Sequence, residues 1–137
     1  MITGISEILT DNATVTALVG MNTRENKPKI YWVVCPDAEK APYVILSLLG
    51  NNPNNKDDSS TLDDTRFAAF IYTNNPEEAE EISEAIRAAL ELKNVTAGGK
   101  LYYRIRYVSE NDGYDKEALL PYRVATYSAL WKREVPT

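Results

Sequence analysis

Histidine is absent from this chain of 137 residues. Without an imidazole there is no Ser–His or Cys–His nucleophilic pair, no side chain that titrates near neutrality unperturbed, and most zinc sites are out of reach. Cysteine occurs once, at Cys35, which excludes an intrachain disulfide framework and a thiolate-rich metal site. No unbroken stretch of about 18 apolar residues exists to span a bilayer, and the opening MITGISEILTDNATV lacks the basic start and apolar centre of a secretory signal. A basic surplus is missing too. With 15 Lys and Arg against 20 Asp and Glu the net charge is −5, so the whole chain is not drawn to nucleic acid or to an anionic membrane. These absences lead to the expectation of a soluble protein of a reducing compartment, without metal, cofactor or membrane partner.

What remains is ordinary globular material: 44% hydrophobic and 26% charged residues. The length fits one domain over 1–137, and a chain of this size buries roughly two thirds of its unfolded surface. Ile2, Ile5, Ile8 and Leu9 recur at helical spacing, and Val15, Leu18 and Val19 repeat the pattern after a polar break at Asp11 and Asn12. Ile30–Cys35, Pro42–Leu49 and Arg66–Thr73 read as strands, being short apolar runs rich in β-branched and aromatic residues. Asn75-Pro76-Glu77 opens a helix, with a polar cap, proline in the first turn and glutamates at the positive end of the dipole. Its apolar stripe is Ala79, Ile82, Ile86, Ala89 and Leu90.

Leu101–Val108 alternates, which sets Leu101, Tyr103, Ile105 and Tyr107 on one face and Tyr102, Arg104, Arg106 and Val108 on the other. Residues 110–117, with Asn-Asp-Gly, read as a connection, and Pro121–Glu134 as a long last strand. Residues 51–64, NNPNNKDDSSTLDD, are too polar to offset their ordering entropy and read as a mobile acidic, Asn-rich loop. The fold class expected is α+β, a mostly antiparallel sheet of four to five strands with two helical segments packed on one face.

Candidate chemistry is sparse. Glu77, Glu80, Glu81 and Glu84 share one helix face, but no second acidic element is in view, so they read as a solvated, dipole-matched face rather than a metal site. Asp57, Asp58, Asp63 and Asp64 lack the glycine and the closing glutamate of a calcium loop. Cys35 has no histidine to activate it and reads as a small buried hydrophobe. Gly98-Gly99-Lys100 follows a helix and precedes a strand, the reverse of a phosphate loop.

Arg104, Arg106 and Arg123, with Tyr102, Tyr122 and Tyr127, form a basic-aromatic set that fits cross-strand pairing, a protein interface or a platform for nucleic-acid bases. Charge is also segregated. Residues 76–92 carry six glutamates and one arginine, whereas residues 93–137 have a surplus of three positive charges. The acidic helix and the basic strands are therefore candidates for head-to-tail contact between copies.

The order Ile5…Leu9-Thr10-Asp11…Val15…Leu18-Val19-Gly20, Ile30-Tyr31, Cys35-Pro36, Ala41-Pro42-Tyr43-Val44-Ile45-Leu46, Arg66-Phe67-Ala68-Ala69-Phe70-Ile71-Tyr72 and Ala79…Ile82…Ile86-Arg87…Leu90, closed by a tyrosine-rich hairpin, resembles the tail-completion (head–tail joining, tail-terminator-like) proteins of long-tailed phages and prophages. The likeness runs over nearly the whole chain. It implies a non-enzymatic subunit that assembles into a ring, commonly of six copies, between tail tube and connector in the neck of a virion built in a bacterial cytoplasm. Loop 51–64 and segment 110–120 depart from the family pattern. The interface candidates are then Glu77, Glu80, Glu81, Glu84, Arg104, Arg106, Arg123, Asp57, Asp58 and Asp63. Two other classes remain open: a nucleic-acid-binding module on the basic-aromatic face, and a small-molecule enzyme, which requires a pocket with at least two converging carboxyls.

Overall fold

The computed structural model describes residues 2–21, 27–32, 40–54, 62–91, 93–97, 99–117 and 119–132. Helix α1 (Ile2–Thr10) stops at Asp11, and α2 (Ala13–Val19) starts on Asn12, whose side chain accepts the Val15 N–H at 3.0 Å. That bond satisfies one of the orphan donors of a helix start. Gly20, at φ 77°, ends α2 in a conformation that side chains resist. The strands are β1 (Ile30–Trp32), β2 (Tyr43–Asn54), β3 (Leu62–Tyr72), β4 (Lys93–Ala97), β5 (Lys100–Asp115) and β6 (Leu120–Lys132). Helix α3 (Pro76–Leu90) lies between β3 and β4 in sequence. It is capped by Asn75, which accepts the Glu77 N–H at 2.9 Å, and it has proline in its first turn.

All six strands form one sheet in the order β1-β2-β3-β6-β5-β4. Strand β3 at its centre pairs antiparallel with β2 and with β6, in unbroken register from Leu62↔Lys132 to Tyr72↔Tyr122. Ile82, Ile86 and Leu90 of α3, Ile5 and Leu9 of α1, and Val15 and Val19 of α2 are buried in one cluster with Phe67, Ala69, Ile71, Ala125 and Tyr127 of the two central strands. The three helices therefore cover one face of the sheet. Phe67 stacks on Tyr127 at 5.5 Å, and Tyr107 meets Tyr127 edge-on at 5.9 Å, the favoured aromatic geometries.

The expected α+β class is present, but its details change. The sheet has six strands rather than four to five, and there are three helices rather than two helical segments. Strand β4 escapes a pattern reading because it has only five residues, one of them Asn94 in the left-handed region at φ 54°. Strand β1 pairs parallel to β2, from Ile30↔Val44 to Trp32↔Leu46, in an otherwise antiparallel sheet. Residues 110–115, expected as a connection, belong to β5. There Gly113 faces Tyr122, and a Cβ on it would come 2.5 Å from the tyrosine ring, so this glycine marks a close cross-strand approach instead of a turn.

Both ends of the expected loop 51–64 are strand as well, Asn51 opposite Thr65 and Asn54 opposite Leu62, while residues 55–61 lie outside the described residues. Tertiary pairing overrides local composition in each case. Finally, β5 has register shifts at Tyr102/Arg104 and Tyr107/Ser109. The first turns Tyr102 into the core, fully buried beside Trp131, away from Arg104 and Arg106 with which simple alternation groups it.

Candidate interaction surfaces

The helix-covered face and the opposite face of the sheet carry different chemistry. On α3, Glu77, Glu80, Glu81 and Glu84 are exposed, as the apolar stripe requires. Glu78 is set apart: it accepts the Thr73 hydroxyl at 2.7 Å, while Thr73 also accepts the Asn75 N–H. Farther along, Arg87 pairs with Glu91 at 2.8 Å and lies 4.1 Å over the Tyr107 ring. Ser83, on the buried side, donates to Glu110 of β5, whose other oxygen accepts from Tyr107 at 3.4 Å. The second register shift in β5 is what brings Glu110 round to the helix side.

The basic set divides. Arg104 and Arg106 point from the uncovered face, around a hollow of about 140 Å³ shared with Asp64, Ser128 and Leu130. Arg123 sits on the helix side, where it pairs with Asp112 at 2.9 Å, and that carboxylate holds its guanidinium above the ordinary pKa. Arg66 takes its place. Ser128 is the register partner of both Arg66 on β3 and Arg106 on β5, so all three project to the same face. Arg66 is exposed. Its position is not visible in the sequence, because face-sharing across three strands follows from pairing that local pattern does not encode.

The aromatic part of the set is not a stacking platform. Tyr102 and Tyr127 are fully buried in the core. Burial, ahead of the Glu7 charge, raises the Tyr102 pKa to about 12, and burial raises that of Tyr127 as well. Tyr122 lies at the other end of the sheet, 5.5 Å from Tyr72 and 5.6 Å from Phe70. Tyr72 is pushed to about 12 by burial and by Asp115, to which its hydroxyl donates at 3.4 Å.

The acidic residues of 57–64 also separate. Asp63 is buried opposite Trp131 and is not part of a solvated loop. Asp64 accepts the Ser128 hydroxyl at 2.8 Å. Asp57, Asp58 and Cys35 lie outside the described residues. Among the described residues no three Cys, Asp or Glu side chains are placed to hold a metal ion, and no helix is long and apolar enough to cross a membrane. A cavity of about 250 Å³ opens between the start of α3 and the end of the β5–β6 hairpin, lined by Thr73, Pro76, Ala79, Asp112, Gly113, Pro121, Tyr122 and Arg123. It contains one carboxylate, already tied to Arg123. The pair of converging carboxyls named as the minimum for the enzyme reading is not in this cavity.

No curated protein matches the chain. Among solved structures it is similar to a chain titled "Virion of native gene transfer agent (GTA) particle", with 17% identity, a TM-score of 0.73, and coverage of 94% of this chain and 92% of that one. At that identity the likeness is one of fold. The family described as Tail completion protein gp17 matches residues 3–132. With nearly its whole length matched, the chain belongs to the Tail completion protein gp17 family, structural proteins of phage tails.

Proposed function

We propose that this chain is a structural subunit of the phage or prophage tail–neck junction, which associates with copies of itself into a closed ring, six copies being the number its resemblance implies, and meets tail-tube and connector proteins there. The family match over residues 3–132 carries this reading. The fold supports it, because the chain offers two charged surfaces on opposite sides of one sheet and no assembled reactive group among the described residues. Recognition by surface, with assembly in the host cytoplasm and residence in the virion, is the corresponding mode of action.

The nucleic-acid alternative is left with an arginine patch but without its stacking platform, since two of its three tyrosines are buried and one of its three arginines is on the other face. Size-exclusion chromatography with light scattering at low salt and high protein concentration tests the proposal, with and without tail-tube protein. One discrete multiple of the 15.4 kDa subunit is the expected result. A strict monomer under both conditions contradicts it.

A further inference from the structure

The reading as a ring subunit leaves open which surfaces of two copies meet. We infer that the Arg66–Arg104–Arg106 patch of one copy receives the α3 face of a second copy, through Glu77, Glu80, Glu81 and Glu84. This inference rests on that reading and adds the contact.

The two patches are complementary in charge, exposure and spacing. All seven side chains are exposed. None of the three arginines, and none of Glu77, Glu81 and Glu84, forms an ion pair with a described residue. Ser128 occupies the strand between Arg66 and Arg106, so their backbones are two strand spacings apart, about 10 Å. Arg104 adds a third charge about 7 Å along β5. On the helix, Glu77 and Glu84 are seven residues apart, a rise of about 10 Å, with Glu80 and Glu81 between them. The acidic stretch of the helix therefore has the same backbone length as the span between the two strands that carry the outer arginines.

Location makes the contact intermolecular. α3 covers one face of the sheet and the arginines project from the other, so no copy can satisfy its own patch. With the two patches on opposite sides of the subunit the contact is head-to-tail, and it repeats from copy to copy into a ring where the rotation closes and into an open filament where it does not. Asp64, across Leu130 from Arg104, occupies the fourth corner of the patch, where it accepts the Ser128 hydroxyl. Incoming carboxylates are therefore directed to the three arginine corners.

Charge reversal with exchange tests this. The R66E/R106E chain and the E81K/E84K chain are each compared with wild type by light scattering at about 50 mM and about 500 mM salt, with circular dichroism as a check on folding. Each reversal is expected to raise the concentration for half-assembly by at least about tenfold. The chain with all four reversals is expected to recover assembly, and high salt to weaken wild type, because charges at this exposure are screened. Folded single-side variants that assemble like wild type overturn this contact and leave the ring reading standing. A wild-type chain that stays monomeric overturns both. Binding of single-stranded DNA that R66E/R106E abolishes while assembly is unchanged assigns the patch to phosphate and also overturns the contact.

Discussion

Gly4 and Gly50 make a controlled pair at the level of single residues. A Cβ on Gly4 would meet the Tyr102 hydroxyl and come within 2.8 Å of the Ala97 carbonyl oxygen, whereas one on Gly50 would meet nothing within 4 Å. Gly4 thus lets α1 seat against β4 and β5. Gly4→Ala gains up to about 1 kcal/mol of helix propensity but overpacks a contact whose backbone oxygen cannot swing aside, at about 1–3 kcal/mol. The expected outcome is a lower urea midpoint for Gly4→Ala, by about 1 kcal/mol, and a change within about 0.5 kcal/mol for Gly50→Ala. Equal midpoints for the two variants would contradict the close approach. Trp131 offers a related lesson: its indole N–H donates to Thr65 at 2.8 Å, a buried polar pair made by two residues far apart in sequence, each of which reads as an ordinary strand position.

At the level of elements, α3 is the part whose sequence and structure agree most fully. Cap, first-turn proline, acidic start and apolar stripe all point the same way, and the helix runs Pro76–Leu90 as they require. Its start is held twice, by the Asn75 side chain on the Glu77 N–H and by Thr73 linking the Asn75 N–H to Glu78. Asn75→Ala removes the first of these and costs about 1 kcal/mol, whereas Asn75→Asp keeps an acceptor in place. Because Ile82, Ile86 and Leu90 anchor α3 in the shared core, the loss is expected in the global unfolding midpoint and not merely as fraying. Fraying of helix signal ahead of an unchanged midpoint would show that α3 is energetically separate. The long β5–β6 hairpin behaves differently: the Asn-Asp-Gly of 111–113 has turn chemistry, yet its partners Val124, Arg123 and Tyr122 hold it in the ladder.

For the whole molecule, buried tyrosines set an alkaline limit. Tyr72 and Tyr102 are raised to about 12, and Tyr127 is raised too, in each case chiefly by burial. The unfolded chain releases these protons near the ordinary value of about 10, so above that pH it binds fewer protons than the folded state and stability falls. The contribution is complete below about pH 10 and is lost as pH rises toward about 12. Tyrosinate absorbance from the buried rings should therefore appear together with loss of the folded circular-dichroism signal. Full tyrosine titration by about pH 10.5 in a chain that remains folded would refute this placement. The same whole-molecule view accounts for where the two charged faces lie: α3 carries its glutamates on its solvated outer side, and the arginines oppose them because they leave the sheet on the side that none of the three described helices covers.

The sequence on its own established the α3 helix, the central strand Arg66–Thr73 in outline, the restart of the first helix at Asp11 or Asn12, the absence of imidazole chemistry and the family likeness. The elements among these depend on residues within a few positions of one another, where spacing and capping act directly, and the other two on composition and on the order of such patterns along the chain. Tertiary structure alone decided that β4 exists, that β1 runs parallel to β2, that the polar stretches 51–54 and 62–64 are strand, and that Arg66 rather than Arg123 joins Arg104 and Arg106. The reason is that a side chain's face in a sheet depends on register, and one extra residue at a bulge reverses it. Register is settled between strands distant in sequence, by the burial of Phe67, Tyr127 and Tyr102 in one shared core.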